Sequence, residues 1–270
     1  MDTSSDLDPS ALLAALGSCR LGRPIVYLSS CTSTNDETAT RALAGAEEGL
    51  LVMAGEQTAG RGRRGRVWLS RAGENLTFSL LLRPALPAQQ ATPVTLLAGA
   101  ALATSLAGLG FSPQLKWPND VLLDTAGGPR KVAGILTEMA SEAGNVRHVV
   151  LGVGINVNAE TFPDELAARA TSLRIARGLR LERGEVLAAF VRAFEPIYDH
   201  FVAHGPSSAL ATWNRHAVLG QPCAIERGGS RIEGIAEGVD RSGALQIRTA
   251  TGDVILVHAG EVSWIFESQC

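Results

Sequence analysis

Cysteine, aromatic residues and positive charge are all scarce in this chain, and each shortage removes a class of function. The four cysteines, Cys19, Cys31, Cys223 and Cys270, lack CxxC spacing, so they indicate neither a zinc framework nor a disulfide scaffold and read as free thiols. Aromatics make up only 5% of the residues, a poor supply of the ring platforms on which single-stranded nucleic acid stacks. Lysine and arginine number 24 against 27 aspartates and glutamates, a net charge of −3, which argues against a protein that coats nucleic acid with a basic face. The histidines His148, His200, His204 and His216 make no metal-ligand pattern, although His200 and His204 share a helix face. No apolar run reads as long enough to span a bilayer. The start MDTSSDLDPS is acidic and polar where a signal peptide is basic and then apolar, so cytoplasmic residence is expected.

Apolar material, by contrast, is plentiful. Hydrophobic residues form 46% and charged residues 19% of 270, enough to bury a core and to build one main domain with a smaller one. The expected division is an N-terminal extension with a short helix at 1–24, a main domain at 25–218 and a small β domain at 219–270. Helices are expected at about 9–19, from Thr34 to about Ala44, at 93–109, and from Gly184 to about His204, with Pro196 bending the last. Thr34-x-x-Glu37 has the spacing of a capping box. Strands are expected at 24–30, 50–57, 75–83, 112–117, 119–124, 131–140 and 147–157. After Gly220, short β-branched runs are broken by Arg227-Gly228-Gly229, Asp240-Arg241-Ser242-Gly243 and Thr251-Gly252-Asp253, which suggests a small barrel of about five strands.

The densest chemical signal is QTAGRGRRGRVW at 57–68, where Gly60, Gly62 and Gly65 alternate with Arg61, Arg63, Arg64 and Arg66 after an apolar run. Glycines leave backbone N–H groups free to approach phosphate oxygens, and guanidinium forks bind those oxygens bidentately. Taken alone, the segment also reads as a solvated basic turn or as an RG-type RNA-binding module. Three further segments follow it: Lys116–Asp120 (KWPND), Lys131–Glu138 (KVAGILTE) and Gly152–Asn158 (GVGINVN), with Ser33-Thr34-Asn35 upstream. In this order they resemble the biotin protein ligase family, from about residue 25 to the C-terminus.

The resemblance implies an α+β fold: a class II aminoacyl-tRNA-synthetase/biotin-synthetase-like mixed sheet with helices, plus a small SH3-like β-barrel at the C-terminus. It implies that biotin and ATP, with Mg2+ carried on the phosphates rather than held by protein ligands, give biotinyl-5′-adenylate and pyrophosphate. The biotinyl group then passes to a lysine of a biotin carboxyl carrier protein domain. A lipoate-type ligase, chemically parallel, is the alternative; GRGRRGR and KWPND favour biotin. Some relatives carry an added DNA-binding helix-turn-helix. Only about 25 residues precede the first expected strand here, so the monofunctional form, without DNA binding, is expected. Membrane binding is not expected, and a homodimer through paired sheet edges is plausible.

Residue by residue, the resemblance assigns catalysis to Arg63, Lys131 and Asp120, with Lys131 between the biotin carboxylate and the α-phosphate and Asp120 orienting or deprotonating the acceptor lysine. Biotin falls to Ser33, Thr34, Asn35, Gln57, Gly60, Arg61 and Gly134. The nucleotide falls to Arg63, Arg64, Trp68, Lys131 and Asn156. Offsetting phosphate charge requires cations in a water-poor site, and Arg61, Arg63 and Lys131 are the suppliers considered. Plainer readings stand beside these: a surface lysine at 131, a β-bulge at Gly134, N-caps at Ser33 and Thr34, a core tryptophan at 68, a turn residue at Asn156 and an Asx-type turn at Asp120. Some relatives place a tryptophan before the C-terminal Gly-Glu pair. Here Val257-His258-Ala259 precede Gly260-Glu261, so adenine stacking from that domain is not expected and Trp264 reads as barrel packing. Loop 58–67 is expected to be mobile until an anion offsets the repulsion among its arginines.

Overall fold

The computed structural model describes residues 5–227 and 230–264. Asp8 caps the first helix, its carboxylate accepting from the Ala11 N–H at 2.8 Å, with Pro9 at a position that needs no N–H. This helix, α1 (Pro9–Leu16), ends earlier than expected, because Gly17 leaves helical geometry at φ +57°. Next, β1 (Ile25–Cys31) and β2 (Leu51–Gln57) run parallel, so the chain needs a crossover, which α2 (Thr34–Leu43) provides. The expected capping box does not form. Ser33 is the N-cap residue and makes no side-chain cap bond, which puts Glu37 one position too deep; it pairs with Arg41 instead.

The remaining strands of the large sheet are β3 (Asn75–Leu82), β4 (Pro113–Lys116), β5 (Asp120–Leu123), β6 (Arg130–Glu142) and β7 (Asn145–Asn156). Sheet order is β1-β2-β3-β7-β6-β5-β4, antiparallel beyond β2. Between β3 and β4 lies α3 (Val94–Gly108), followed after β7 by the short α4 (Asp164–Ala167) and α5 (Leu173–Arg177), then α6 (Arg183–His204) and α7 (Ser207–His216). Against expectation, among the described residues one stretch, Ala88–Gly108, is long and apolar enough to cross a membrane by length and composition. Most of it is buried inside the protein, because α3 packs against the sheet, α6 and α7.

A stack of rings joins the sheet to α6: Phe78–Phe190, Phe190–Phe194 and Phe194–Tyr198 have centroids 5.4, 5.5 and 5.7 Å apart, in the range where aromatic pairs attract. Pro196 lies inside α6, which continues through it as one helix. Leu12 and Leu16 of α1 are buried in the same core. Asp6 and Arg183, both nearly inaccessible, form an ion pair beside it.

Past α7 come β8 (Pro222–Arg227), β9 (Ser230–Val239), β10 (Leu245–Arg248), β11 (Val254–Val257) and β12 (Val262–Trp264), an antiparallel sheet in the order β11-β10-β9-β8-β12. Asp240 builds the β9–β10 turn, its carboxylate accepting from the N–H groups of Ser242 and Ala244 at 2.9 Å each. The Gly228-Gly229 turn and Cys270 lie outside the described residues. This sheet abuts the large one: Trp117 Nε1 donates to the Gly243 carbonyl at 3.1 Å, and Val218 N donates to Leu115 O of β4 at 3.0 Å.

Candidate active site

One cavity of about 580 Å³ lies where the α2 N-terminus, the 58–68 loop, β5–β7 and the start of β12 meet. It contains three groups of residues with different chemistry.

The first is a polar floor. Gln57 closes β2, and its Oε1 accepts from the Thr34 N–H at 2.7 Å and the Thr34 hydroxyl at 3.1 Å, so the amide is oriented with its NH2 toward the loop. Gly60 faces that NH2: a Cβ there would sit 2.9 Å from Gln57 Nε2 and 2.6 Å from the Trp68 carbonyl oxygen. Only glycine fits. Behind them the buried Ser79 hydroxyl lies 2.8 Å from Thr34 Oγ1 and 2.7 Å from Asn35 Oδ1, and Asn35 Nδ2 donates to Glu138 at 2.6 Å. Ser33, Thr34, Asn35, Gln57, Arg61 and Gly134 all line this cavity. An uncharged, hydrogen-bonding head group matches such fixed polar atoms in a cavity.

The second is a slot floored by glycine. Gly134 of β6 and Gly154 of β7 are cross-strand partners, and the Trp68 indole lies over them. A Cβ on Gly154 would come within 2.7 Å of indole Cζ2 and Nε1, and one on Gly134 within 3.4 Å of the ring. Trp68 therefore lines the cavity rather than filling the core. Its Nε1–H is buried without a partner among the described residues.

The third is a cationic wall. Lys131 Nζ is 2.6 Å from Asp120 Oδ1 and 5.6 Å from the Trp68 ring centroid. The register explains its direction: Val121 pairs with Ala133 but Leu122 pairs with Lys131, so Val132 is an extra residue. Without this bulge, positions 131 and 134 would face opposite sides of the sheet. With it, Lys131 Nζ lies 3.0 Å from the place a Gly134 Cβ would occupy. The bulge is therefore at Val132, not Gly134, and Asp120 opens β5 facing Lys131. Arg63 Nη1 donates to Asn119 Oδ1 at 3.4 Å, and Asn119 is oriented by its own bond to the Ile135 carbonyl at 3.0 Å. Burial, reinforced by nearby Arg64, pushes the Arg63 guanidinium pKa down, and burial does the same to Lys116. A bound polyanion relieves that cost.

Several expectations need correction. Arg61, considered for phosphate, is engaged by carboxylates: it makes a two-pronged pair with Asp36 at 2.5 and 2.6 Å and approaches Glu138 at 3.7 Å. Arg66 is paired with Glu261 at 2.7 Å, so two of the four arginines of the loop have carboxylate partners, while Arg64 and Arg66 still repel Arg63. The loop is a compact hairpin in which Trp68 N donates to Gly60 O at 2.9 Å and Gly62 N to Arg66 O at 2.6 Å. Arg64, exposed at its tip, takes a left-handed φ of 58° and does not line the cavity. Asn156 lines the cavity but is nearly buried, its amide engaged by Asn75 at 2.8 Å and the Thr171 carbonyl at 3.1 Å; it braces the wall. Trp264, expected in barrel packing, belongs to β12 and also lines the cavity, as does Glu261. Burial pushes the Glu261 carboxyl up, yet Arg66, Lys116 and Arg64 together hold it below the usual range. Lys116, Asn119, Asp36, Ser79 and Glu138 were missed as site residues. Lys116 and Asn119 lie within KWPND, whereas nothing in sequence distance points to Ser79.

Comparison with known proteins agrees with this geometry. Residues 27–156 match the Biotin/lipoate A/B protein ligase family, and residues 218–264 match the Biotin protein ligase C terminal domain. The chain is 37% identical over 236 residues to the Bifunctional ligase/repressor BirA of Bacillus subtilis (strain 168), covering 86% of this chain and 71% of that one. It is 36% identical over 240 residues to the Biotin--[acetyl-CoA-carboxylase] ligase of Paracoccus denitrificans, covering 86% of this chain and 97% of that one. Among solved structures, the biotin protein ligase from Aquifex aeolicus in complex with biotin and ATP superposes with a TM-score of 0.77 at 28% identity, covering 90% of this chain and 99% of that one. Two matched domains, relatives at this identity over most of their length, and one cavity that unites a polar floor with a cationic wall establish that the chain belongs to the biotin protein ligase family.

Proposed function

We propose that the enzyme works in two steps in the one cavity. It is a biotin protein ligase, and the observation that carries the two-step reading is that the Lys131–Asp120 pair lines the same cavity as the Thr34–Gln57 floor, with Arg63 and Lys116 in its wall. In the first step a biotin carboxylate oxygen attacks the α-phosphorus of ATP, the bond from that phosphorus to the bridging oxygen breaks, and pyrophosphate leaves. Lys131 and Arg63 offset the charge that gathers on the phosphoryl oxygens, as cations already in place when that charge develops. Mg2+ enters on the ATP phosphates. In the second step a neutral lysine amine of the carrier attacks the acyl carbon and AMP leaves. A lysine of ordinary pKa near ~10.4 is almost wholly protonated at neutral pH, so Asp120 orients the amine and takes up its proton.

The proposed acceptor is a biotin carboxyl carrier domain of a carboxylase, which the name of the Paracoccus relative supports. The C-terminal match to a biotin-specific domain supports biotin over lipoate, and membership of a ligase family sets aside the RNA-binding module. The proposal includes a cytoplasmic enzyme without operator DNA binding. The test is direct: biotin, ATP and magnesium with the purified chain release pyrophosphate, mass spectrometry finds biotinyl-adenylate bound, and a carrier domain gains biotin on lysine. Equal turnover with lipoate overturns the substrate assignment.

A further inference from the structure

Arg61, which lines the cavity, is held by two carboxylates from different elements. Asp36 projects from the first turn of α2 and meets both terminal nitrogens of Arg61, at 2.6 and 2.5 Å. Glu138, from β6, places Oε1 3.7 Å from Arg61 and accepts from Asn35 Nδ2 through Oε2 at 2.6 Å. Asn35 lies against Gly152, where any Cβ would collide with its amide, and its Oδ1 meets the Ser79 hydroxyl that also reaches Thr34. A continuous series of polar contacts thus runs from Arg61 in the loop through Glu138, Asn35 and Ser79 to Thr34 and Gln57. One positive charge faces two negative ones, and both terminal nitrogens of Arg61 are engaged by Asp36.

We propose that Asp36 and Glu138 are positioning residues for biotin: by clamping Arg61 they hold the Gly60–Arg61 backbone against the Thr34–Gln57 floor, and so set the affinity for the ring system of biotin and not the chemistry at phosphorus. This deepens the biotin ligase reading and rests on it. Arg61, Asp36 and Glu138 are each close to half exposed, at 43%, 45% and 46%. Ion pairs of that exposure add little to global stability, though a two-pronged geometry is the kind that fixes position. The carboxyl of Asp36 is held below its usual range by the Arg61 hydrogen bonds, against the effect of burial.

The test uses Asp36→Asn, Glu138→Gln and Asp36→Glu in the full chain. With pyrophosphate release as readout, Asp36→Asn is expected to raise the KM for biotin about fivefold, in line with the loss of one well-aligned ion pair. The KM for ATP and kcat stay within about twofold, and thermal stability is unchanged. Glu138→Gln behaves alike but more weakly, and Asp36→Glu restores most of the affinity. A second measurement needs no activity: trypsin cleaves after Arg61 faster in Asp36→Asn than in the parent, without any ligand. Equal biotin KM in parent and Asp36→Asn, a larger effect on ATP, or no recovery with Asp36→Glu overturns the proposal. Failure of the parent to release pyrophosphate with biotin refutes the ligase reading instead, and the clamp then stands or falls on the trypsin comparison.

Discussion

Lys131→Ala has a cost that the surroundings of the side chain allow to be sized. Removing one preorganised donor from a charge-stabilising site typically slows chemistry by roughly 10²–10³, about 3–4 kcal/mol. Here the loss is expected at the upper end, because the substitution does more than delete a cation. Asp120, 2.6 Å from Lys131 Nζ, keeps its negative charge at the wall where the α-phosphate must sit. Its field already reaches Arg63 and Lys116, so it drains the two cations that remain. Asp120→Asn in the Lys131→Ala background is therefore expected to recover about tenfold in adenylate formation, a non-additive result of the sort that coupled neighbours show. Single-turnover pyrophosphate release measures the first step, and biotin transfer from preformed biotinyl-adenylate to a carrier domain measures the second. Asp120→Asn alone should lower transfer more than adenylation. If both single variants lose only transfer while circular dichroism shows intact folds, the assigned roles are wrong. Strictly additive effects in the double variant would mean that the pair is not coupled during the reaction.

Other outcomes follow from the packing. Gly154→Ala places a Cβ within 2.7 Å of the Trp68 indole, so the ring must move into the cavity; tryptophan emission should shift and biotin affinity drop, with overpacking costing about 1–3 kcal/mol of stability. Asp6→Asn leaves a buried guanidinium beside a neutral amide and should cost about 3 kcal/mol by denaturant unfolding. Although burial pushes the Asp6 carboxyl up, Arg183 holds it below the ordinary carboxylate value of 3.8. A lowered folded-state pKa gives stability that is complete above that value and lost as pH falls through the folded pKa, so the gap between parent and Asp6→Asn should close on acidification below 3.8. A gap that stays constant there would refute the pairing. Operator-type DNA binding should be absent at physiological salt, since α1 buries Leu12 and Leu16 in the core and net charge is −3; a promoter footprint would contradict this.

The sequence by itself determined the seven strands of the large sheet, the helices α1, α2, α3 and α6 though not α4, α5 or α7, the five short C-terminal strands and the segments that build the cavity. Those features are local: apolar periodicity selects strand or helix within a few residues, and GRGRRGR, KWPND and KVAGILTE each carry their chemistry in adjacent positions. By resemblance Arg63 and Arg64 fall to the nucleotide and Arg61 to biotin, but the sequence could not show what each side chain meets. Arg61 and Arg63 are near-identical in sequence context, and they separate only because α2 brings Asp36 to one while Asn119 and burial meet the other. Nor could it place Trp264 and Glu261 beside the cavity, since they come from the small sheet, far along the chain. The facing of Lys131 was equally hidden. A regular strand would have turned it away from Gly134, and the single extra residue at Val132 that reverses it is a property of pairing between β5 and β6. Charge partners, glycine clearances and strand register are relations between segments, and only the packed chain brings the segments close enough for those relations to exist.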